Sequence, residues 1–283
     1  FYQRTWMFLL LASSLIFAEG GKILVMPQDG SHWLSMRLAV EKLQQNGHEV
    51  VVLVPSSSLY MKPKKPQNYT VKFYPIPYTE DHLSAVLKSF IRAHFIEQSA
   101  LNLIMTMYQS VLELSGYFLT NCKSLLYNKD MMQYLRESKF DLVFADPALM
   151  CGPIIAEYLS VPPVYFLRGL PCSMDYEATH CPRPPSYVPR LFLRHSDSMT
   201  FPQRLQNMLV HLLELVYCKP LFAPFEELAS ELLQKKVTAT DLLSQGAVWL
   251  LRYDFVFEFP RPVMPNMVFI GGINCDQKKK LSQ

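Results

Sequence analysis

The sequence lacks the short motifs that most directly assign a chemistry. No Gly-x-Gly-x-x-Gly follows its first predicted strand, which argues against a dinucleotide dehydrogenase, and no Gly-x-Ser-x-Gly is present, which argues against an α/β-hydrolase. The six cysteines have no Cys-x-x-Cys spacing, so a zinc site is not expected. Disulfides are possible, but the sequence does not choose among the many pairings that six cysteines allow.

Charged residues are also scarce. They make up 18% of the chain, against 50% apolar residues, and the formal net charge is only +3. No stretch interleaves Lys and Arg with aromatic residues in the manner of a nucleic-acid-binding surface, so no nucleic-acid partner is expected. The low charge content predicts that part of the surface is covered by a membrane, a partner or another domain.

Residues 1–20 have the pattern of a secretory signal peptide. Arg4 precedes an apolar run, and small residues follow near its end. This run is shorter than the ~20 apolar residues that span a bilayer, so we expect a signal peptide and not a transmembrane anchor. Asn68-Tyr69-Thr70 is the only Asn-x-Ser/Thr triplet, and we expect a glycan on Asn68 in the secretory pathway.

Apolar runs and helical patterns follow one another in an order that predicts an α/β fold. A buried strand over 21–26, a helix over 33–45 and a strand over 49–54 form a βαβ unit, which implies a parallel sheet. We expect residues 21–283 to form one Rossmann-like domain, a parallel sheet flanked by helices. Further strands are predicted over 70–74, 140–145, 164–166, 247–251 and 266–270, and helices over 80–137 (broken near Gly116), 154–159, 203–218 and 225–234.

Two segments between these elements need separate interpretation. The Pro-rich loop 168–199 is long for a compact domain, and such loops often shape a substrate pocket. The segment 208–217 is apolar on most sides but too short to span a bilayer. It predicts a buried helix, with a helix lying on a membrane surface as the alternative.

The candidate chemistry lies with His32 and Asp146. His32 follows the first strand and Asp146 follows a later one, so both side chains are expected at the carboxyl edge of the sheet, where open α/β sheets bind ligands. A carboxylate on one ring nitrogen would orient the imidazole, leaving the other nitrogen to take a proton from a hydroxyl group. The alternative is that both residues only cap helices, and Asp29 and Ser31 are also plausible caps.

Several segments together resemble the UDP-glucuronosyltransferases, and among them family 1, whose members share one carboxyl-terminal half. The stretch 155–172 is most similar to the phenol-preferring type. The segments that carry the resemblance are 29–36, 47–51, 140–147, 186–190 and 262–275.

The resemblance implies a GT-B fold with two Rossmann-like domains, the amino-terminal one binding the acceptor and the other UDP-glucuronate as co-substrate. It also implies an inverting transfer without a metal, with His32 as general base and Asp146 as its orienting partner. Relatives with proline at the histidine position favour amines, so His32 predicts hydroxyl acceptors: phenols, with steroids and bilirubin as further candidates. The expected substrate-binding residues are Ser31, Trp33, Phe166, Arg168, Met174 and Tyr176.

The resemblance departs from the family pattern at residue 283. The chain ends before the nucleotide-sugar signature, the membrane-spanning helix and the basic tail of the family. We therefore expect an acceptor-binding half without the donor domain, inactive by itself, on the lumenal side of the endoplasmic reticulum membrane and able to form homo- or hetero-oligomers. The alternative is a truncated product that binds lipophilic ligands or modulates full-length transferases without catalysis.

Overall fold

The computed structural model describes residues 20–275 apart from residues 64, 65, 94, 98, 99, 191, 192, 194, 255 and 257. The predicted signal peptide therefore lies, except for Gly20, outside the described residues. The described residues form seven strands: β1 (Lys22–Met26), β2 (Glu49–Pro55), β3 (Thr70–Tyr74), β4 (Leu142–Ala145), β5 (Pro163–Leu167), β6 (Val248–Leu251) and β7 (Met267–Phe269). They form one sheet in the order β3-β2-β1-β4-β5-β6-β7, and every neighbouring pair is parallel.

Helices cover this sheet and connect its strands. They are α1 (Ser31–Gln45), α2 (Glu80–Ala93), α3 (Ala100–Leu126), α4 (Lys129–Glu137), α5 (Cys151–Leu159), α6 (Met174–Thr179), α7 (Phe201–Tyr217), α8 (Lys219–Leu233) and α9 (Ala239–Ser244), with a 3₁₀ turn over Pro171–Ser173. This arrangement confirms the predicted parallel sheet flanked by helices.

After their first residues, Lys22 and Glu49, the central strands β1 and β2 are apolar and buried, as expected for a sheet that is covered on both faces. In β1, Leu24 and Met26 belong to the larger hydrophobic cluster, whereas Ile23 and Val25 belong to the smaller cluster on the opposite face. Successive side chains of a strand point to opposite faces, so an unbroken apolar run supplies both layers. This two-sided burial fixes the register of the strands and thus the positions of the residues that follow them.

The region 80–137, predicted to be helical with a break near Gly116, forms the three helices α2, α3 and α4. Gly116 does not end a helix, since α3 continues through it to Leu126. A glycine inside a helix costs only about 1 kcal/mol, which the packing of α3 against α8 offsets. The short helices α6 and α9 were not predicted, although Thr238 and Asp241 form a capping box at the start of α9.

Helix α7 is not the buried helix that its apolar composition predicts. Leu212 and Leu213 are 53% and 60% exposed, and Val216 is 73% exposed. The helical stretch Phe201–Leu233 is long and apolar enough to cross a membrane, but length and composition alone are weak evidence that it does so. The exposed apolar side chains agree better with the alternative of a helix on a membrane surface.

Two disulfides fasten connections between helices. Cys122 of α3 is bonded to Cys151 at the start of α5, and Cys172 is bonded to Cys218 between α7 and α8. Cys181 and Cys275 are free thiols. The pairing follows from the three-dimensional packing and could not be read from cysteine spacing.

Gly152 lets α5 pack closely against β4, directly beside the segment that carries Asp146. A Cβ atom built on Gly152 would lie 2.5 Å from the Cβ atom of Ala145, which is fully buried. We expect Gly152→Ala to lower the free energy of unfolding by about 1–3 kcal/mol, because the helix or the strand must shift. Urea unfolding of the 283-residue chain measures this change.

Gly116→Ala is the matched control for this prediction. A Cβ atom at Gly116 would meet nothing within 4 Å. Alanine is a better helix former than glycine, so this substitution is expected to raise the free energy of unfolding by about 0.5–1 kcal/mol. Equal effects of the two substitutions would contradict the role assigned to the close contact at Gly152.

Candidate active site at the carboxyl edge of the sheet

The candidate site lies where the order of the strands reverses. The chain proceeds from β1 to β2 and β3 on one side, then returns to β4 on the other side of β1. In open parallel sheets the loops after two such strands diverge and leave a crevice at their carboxyl ends. His32 follows β1 and Asp146 follows β4, so both belong to this crevice.

The loop after β1 places His32 in the first turn of α1. Gly30 is the N-cap residue, with φ of 86°, and no side chain caps the helix. The alternative that Asp29 or Ser31 caps this helix is therefore wrong. The Asp29 carboxylate instead accepts hydrogen bonds from the backbone N–H groups of Leu59 (2.7 Å) and Tyr60 (3.1 Å), which ties the loop after β2 to the loop after β1.

His32 and Asp146 form a close pair. Nδ1 of His32 lies 2.5 Å from Oδ2 of Asp146, and the other carboxylate oxygen, Oδ1, accepts a hydrogen bond from the N–H group of Ala148 at 3.0 Å. The Asp146 side chain is completely buried, whereas 29% of the His32 side chain is exposed. Because a carboxylate only accepts, Nδ1 carries the proton in this pair, and Nε2 of the neutral ring keeps its lone pair for a ligand.

The electrostatics of the pair favour a protonated imidazole. The charge of Asp146 is the largest influence and raises the pKa of His32 above its ordinary value of 6.5, and the hydrogen bond between them acts in the same direction. Burial, and the positive charges of Arg252 and Arg168, lower the pKa of His32 by smaller amounts. A base that gains a proton during a reaction is stabilised by such a partner.

Arg252 is a member of the site that the sequence reasoning missed. It follows β6 directly, and its Nη1 atom donates a hydrogen bond to the carbonyl oxygen of Ser31 at 3.1 Å. Arg168, which was predicted, follows β5 at the same edge and is exposed. His32 and Asp146 were identified because each follows a strand of the parallel sheet. Arg252 directly follows β6, so the same rule could have predicted it from the sequence.

Two predicted substrate-binding residues lie in the core. Trp33 and Phe166 are each 1% exposed and belong to the smaller hydrophobic cluster. Trp33 packs edge-on against Tyr69, and Phe166 packs edge-on against Phe144. Their burial favours a packing role over contact with a substrate.

The remaining predicted residues are dispersed. Ser31 is exposed beside His32, whereas Met174 and Tyr176 are each 7% exposed and line a separate cavity. Asn68 is exposed in the loop before β3, where a glycan is sterically accessible. In the part of the chain that the structure describes, no group of three or more His, Cys, Asp or Glu side chains could hold a metal ion.

The chain matches known proteins along almost its whole length. Residues 21–283 match the family described as UDP-glucuronosyl and UDP-glucosyl transferase. Human UDP-glucuronosyltransferase 1A6 is 52% identical over 266 residues, covering 93% of this chain and 49% of that protein. Human UDP-glucuronosyltransferase 1A1 is 48% identical and covers 97% of this chain and 51% of its own length. The chain thus spans about half the length of the curated relatives it matches.

The solved structures that match this chain are less similar to it in sequence. Os79 from O. sativa, in complex with U2F and trichothecene, is 13% identical, with a TM-score of 0.45 over 82% of this chain and 47% of that one. The spinosyn forosaminyltransferase SpnP is 18% identical, with a TM-score of 0.45 over 89% of this chain and 50% of that one.

Proposed function

The chain belongs to the UDP-glucuronosyl and UDP-glucosyl transferase family, and from that premise we propose that it is the acceptor-binding half of a UDP-glucuronosyltransferase. The reaction transfers glucuronic acid from UDP-glucuronate to a hydroxyl group of a small lipophilic acceptor such as a phenol. The observation that carries this proposal is the His32–Asp146 pair at the switch point of the sheet. Steroids and bilirubin remain further candidate acceptors.

The pair is suited to deprotonate an alcohol or phenol. Nε2 of His32 takes the acceptor proton while the acceptor oxygen forms its bond to the anomeric carbon of the sugar. The bond from that carbon to the UDP oxygen breaks, UDP leaves with the electron pair, and the anomeric configuration inverts. The imidazolium ion that forms is stabilised by Asp146, which holds Nδ1–H throughout.

Arg252 and Arg168 are placed to act on the negative charges of the donor. Both guanidinium groups lie close enough to His32 to lower its pKa, so a sugar carboxylate that approaches these two side chains at the edge of the sheet is attracted by their positive charges. A guanidinium binds a carboxylate with two parallel hydrogen bonds, which a neutral hydroxymethyl group would not form. In the GT-B arrangement that we propose, a second domain holds UDP above this edge.

Several features support the lumenal face of the endoplasmic reticulum membrane as the location. Disulfides such as Cys172–Cys218 persist in oxidising compartments, and Asn68 is exposed in a glycosylation triplet. The exposed apolar side chains of α7 are suited to the boundary of a lipid layer. Association with a further copy of the chain or with another transferase stays a prediction.

Joining this chain to the carboxyl-terminal half of human UDP-glucuronosyltransferase 1A6 tests the proposal. We expect the chimera to form a glucuronide from UDP-glucuronate and 4-methylphenol, whose hydroxyl group gives up its proton to a base as it attacks. The rates are measured by chromatographic product detection. A folded chimera that makes no glucuronide from any phenol tested would contradict the proposal and favour the non-catalytic alternative.

Arg252→Gln tests whether Arg252 binds the carboxylate of the donor sugar. In the chimera we expect kcat/KM for UDP-glucuronate to fall at least about tenfold, because a charge-assisted pair is lost, while the low activity with UDP-glucose is unchanged. Arg136→Gln, on α4 beside the Tyr158 ring, is the matched control and should leave both activities unchanged. An equal loss with both donors would show that Arg252 acts on the shape of the site and not on the sugar carboxylate.

A further inference from the structure

A second cavity lies away from the His32 site, between the 3₁₀ turn, α6, α7 and α8. Its volume is about 770 Å³, enough for a small organic molecule. His32 and Asp146 are not among the described residues that line it. Its wall combines three apolar side chains, Met174, Tyr176 and Phe222, with a buried charged group formed by Arg183, Arg190 and Glu214.

The charged group contains two guanidinium ions and one carboxylate. Oε2 of Glu214 lies 3.5 Å from Nη1 of Arg190 and 3.8 Å from Nη1 of Arg183. The side chains of Arg190 and Glu214 are 3% and 6% exposed, and that of Arg183 is 14% exposed. Asn207 is fully buried, and its Oδ1 atom accepts a hydrogen bond from the backbone N–H group of Arg190 at 2.7 Å, which fixes the backbone at Arg190.

The two guanidinium groups have unused hydrogen-bonding capacity. Nε and Nη1 of Arg183 and Nε of Arg190 are buried, and none of the three has a hydrogen-bond acceptor among the described residues. A buried donor without an acceptor costs roughly 1–3 kcal/mol, so native proteins rarely retain one without a partner. These donors therefore point to an acceptor that the described residues do not supply.

The charge balance specifies the kind of acceptor. Two guanidinium ions of this group face one buried carboxylate. A further buried acid, Asp175, lies nearby, but Arg261 acts on it more strongly than Arg183 does. The acid Glu177 is exposed at the rim, where water screens its charge. A single added negative charge neutralises the buried group, whereas a phosphate dianion would leave it negative. A carboxylate also matches the planar fork of a guanidinium.

We propose that this cavity binds an amphipathic organic monoanion, whose carboxylate contacts Arg183 and Arg190 and whose apolar body packs against Met174, Tyr176 and Phe222. This site is separate from the acceptor site and does not depend on the transfer reaction. A bound carboxylate would accept hydrogen bonds from the buried donors that have no acceptor among the described residues.

Calorimetric titration of the full 283-residue chain with decanoate tests the proposal. We expect one decanoate to bind per chain, and decanol, which has the same apolar body without the charge, to bind at least about tenfold more weakly. Acetate, which has the charge without the apolar body, should also bind at least about tenfold more weakly. This comparison uses the wild-type chain and needs no variant to fold.

Three substitutions locate the binding site. Arg183→Gln should weaken decanoate binding at least about tenfold, since it removes one guanidinium. Glu214→Gln should strengthen it at least about threefold, because a competing carboxylate is removed from the same guanidinium groups. Arg204→Gln makes the same change of charge at an exposed position on α7 and should leave binding unchanged.

Three results would overturn the proposal. Equal binding of decanol and decanoate would show that the cavity binds only the apolar body. Equal losses of decanoate affinity in Arg183→Gln and Arg204→Gln would show that the overall charge of the protein, and not a local contact, governs binding. Loss of decanoate binding in His32→Gln would place the ligand in the acceptor site. None of these results depends on whether the chimera transfers glucuronic acid.

Discussion

Replacement of His32 by glutamine in the chimera is expected to lower kcat/KM for phenol glucuronidation about 10³-fold, because a general base contributes roughly 10²–10⁴-fold to such a reaction. The glutamine amide can still donate a hydrogen bond to Asp146, so the surroundings of the side chain are kept. The lost property is the basic Nε2 atom of a side chain that is 29% exposed and whose Nδ1 atom is held by the carboxylate. Initial rates at saturating UDP-glucuronate measure the effect.

A series of phenols separates a lost base from a distorted site. An acidic phenol such as 4-nitrophenol needs less help in losing its proton than 4-ethylphenol does, so His32→Gln should reduce its rate by a smaller factor. A distorted site would reduce both rates equally. His48→Gln is the matched control, since Nδ1 of His48 accepts a hydrogen bond from the Gly21 N–H group at the opposite edge of the sheet. It should change the rates by less than about twofold.

The second large effect is expected for Asp146→Asn, which should lower the plateau of kcat/KM about 10²- to 10³-fold. The asparagine has nearly the same shape but no charge, so the imidazolium ion that forms during transfer loses its stabilising partner. Because the charge of Asp146 is the main influence that raises the pKa of His32, the pKa of His32 should fall in this variant. Burial and the two arginines then act without opposition.

The pH profile shows this change directly. His32 acts as a base only when it is neutral, so activity rises with pH as the pH passes the raised pKa of His32 in the folded protein. In Asp146→Asn the rise should occur at a lower pH. Asp141→Asn, at the amino end of β4, is the matched control, because Asp141 accepts a hydrogen bond from the Lys22 N–H group at 2.6 Å and does not contact the site. An unshifted profile for Asp146→Asn would contradict the pairing.

The same pKa shift has a consequence for stability. A histidine whose pKa is raised on folding contributes stability that is fully present below its unfolded value of about 6.5 and is lost as the pH rises through its folded value. The contribution of the His32–Asp146 pair should therefore decline above about pH 6.5. Urea unfolding at several pH values should show this decline in the wild-type chain and not in Asp146→Asn.

The central part of the fold could be predicted from the sequence because its determinants are local. The apolar runs that form β1 and β2 are buried on both faces, and their order along the chain implies a parallel sheet. That topology brings the residues after β1 and β4 to one edge, so His32 and Asp146 could be paired without knowledge of any contact. The structure adds the distance and the ring nitrogen that faces the carboxylate.

Other features depended on packing between distant segments. Trp33 lies next to His32 in sequence, but the helical turn directs it into the core against Tyr69. The pairing of Cys172 with Cys218 depends on how the loop after β5 returns to α7, which no spacing rule gives. The missing capping bond of α1 was also unpredictable, because Asp29 is drawn away by the backbone of a different loop.

The hydrogen bonds of Asp29 to the loop after β2 affect how the sequence of that loop can change. The two long-range partners of Asp29 are the backbone N–H groups of Leu59 and Tyr60, which every residue except proline possesses. The side chains at positions 59 and 60 can therefore be exchanged through evolution, or by an engineer seeking new acceptors, while the hydrogen bonds that hold this loop to the loop after β1 stay the same. Proline at position 59 or 60 would remove one of the two hydrogen bonds.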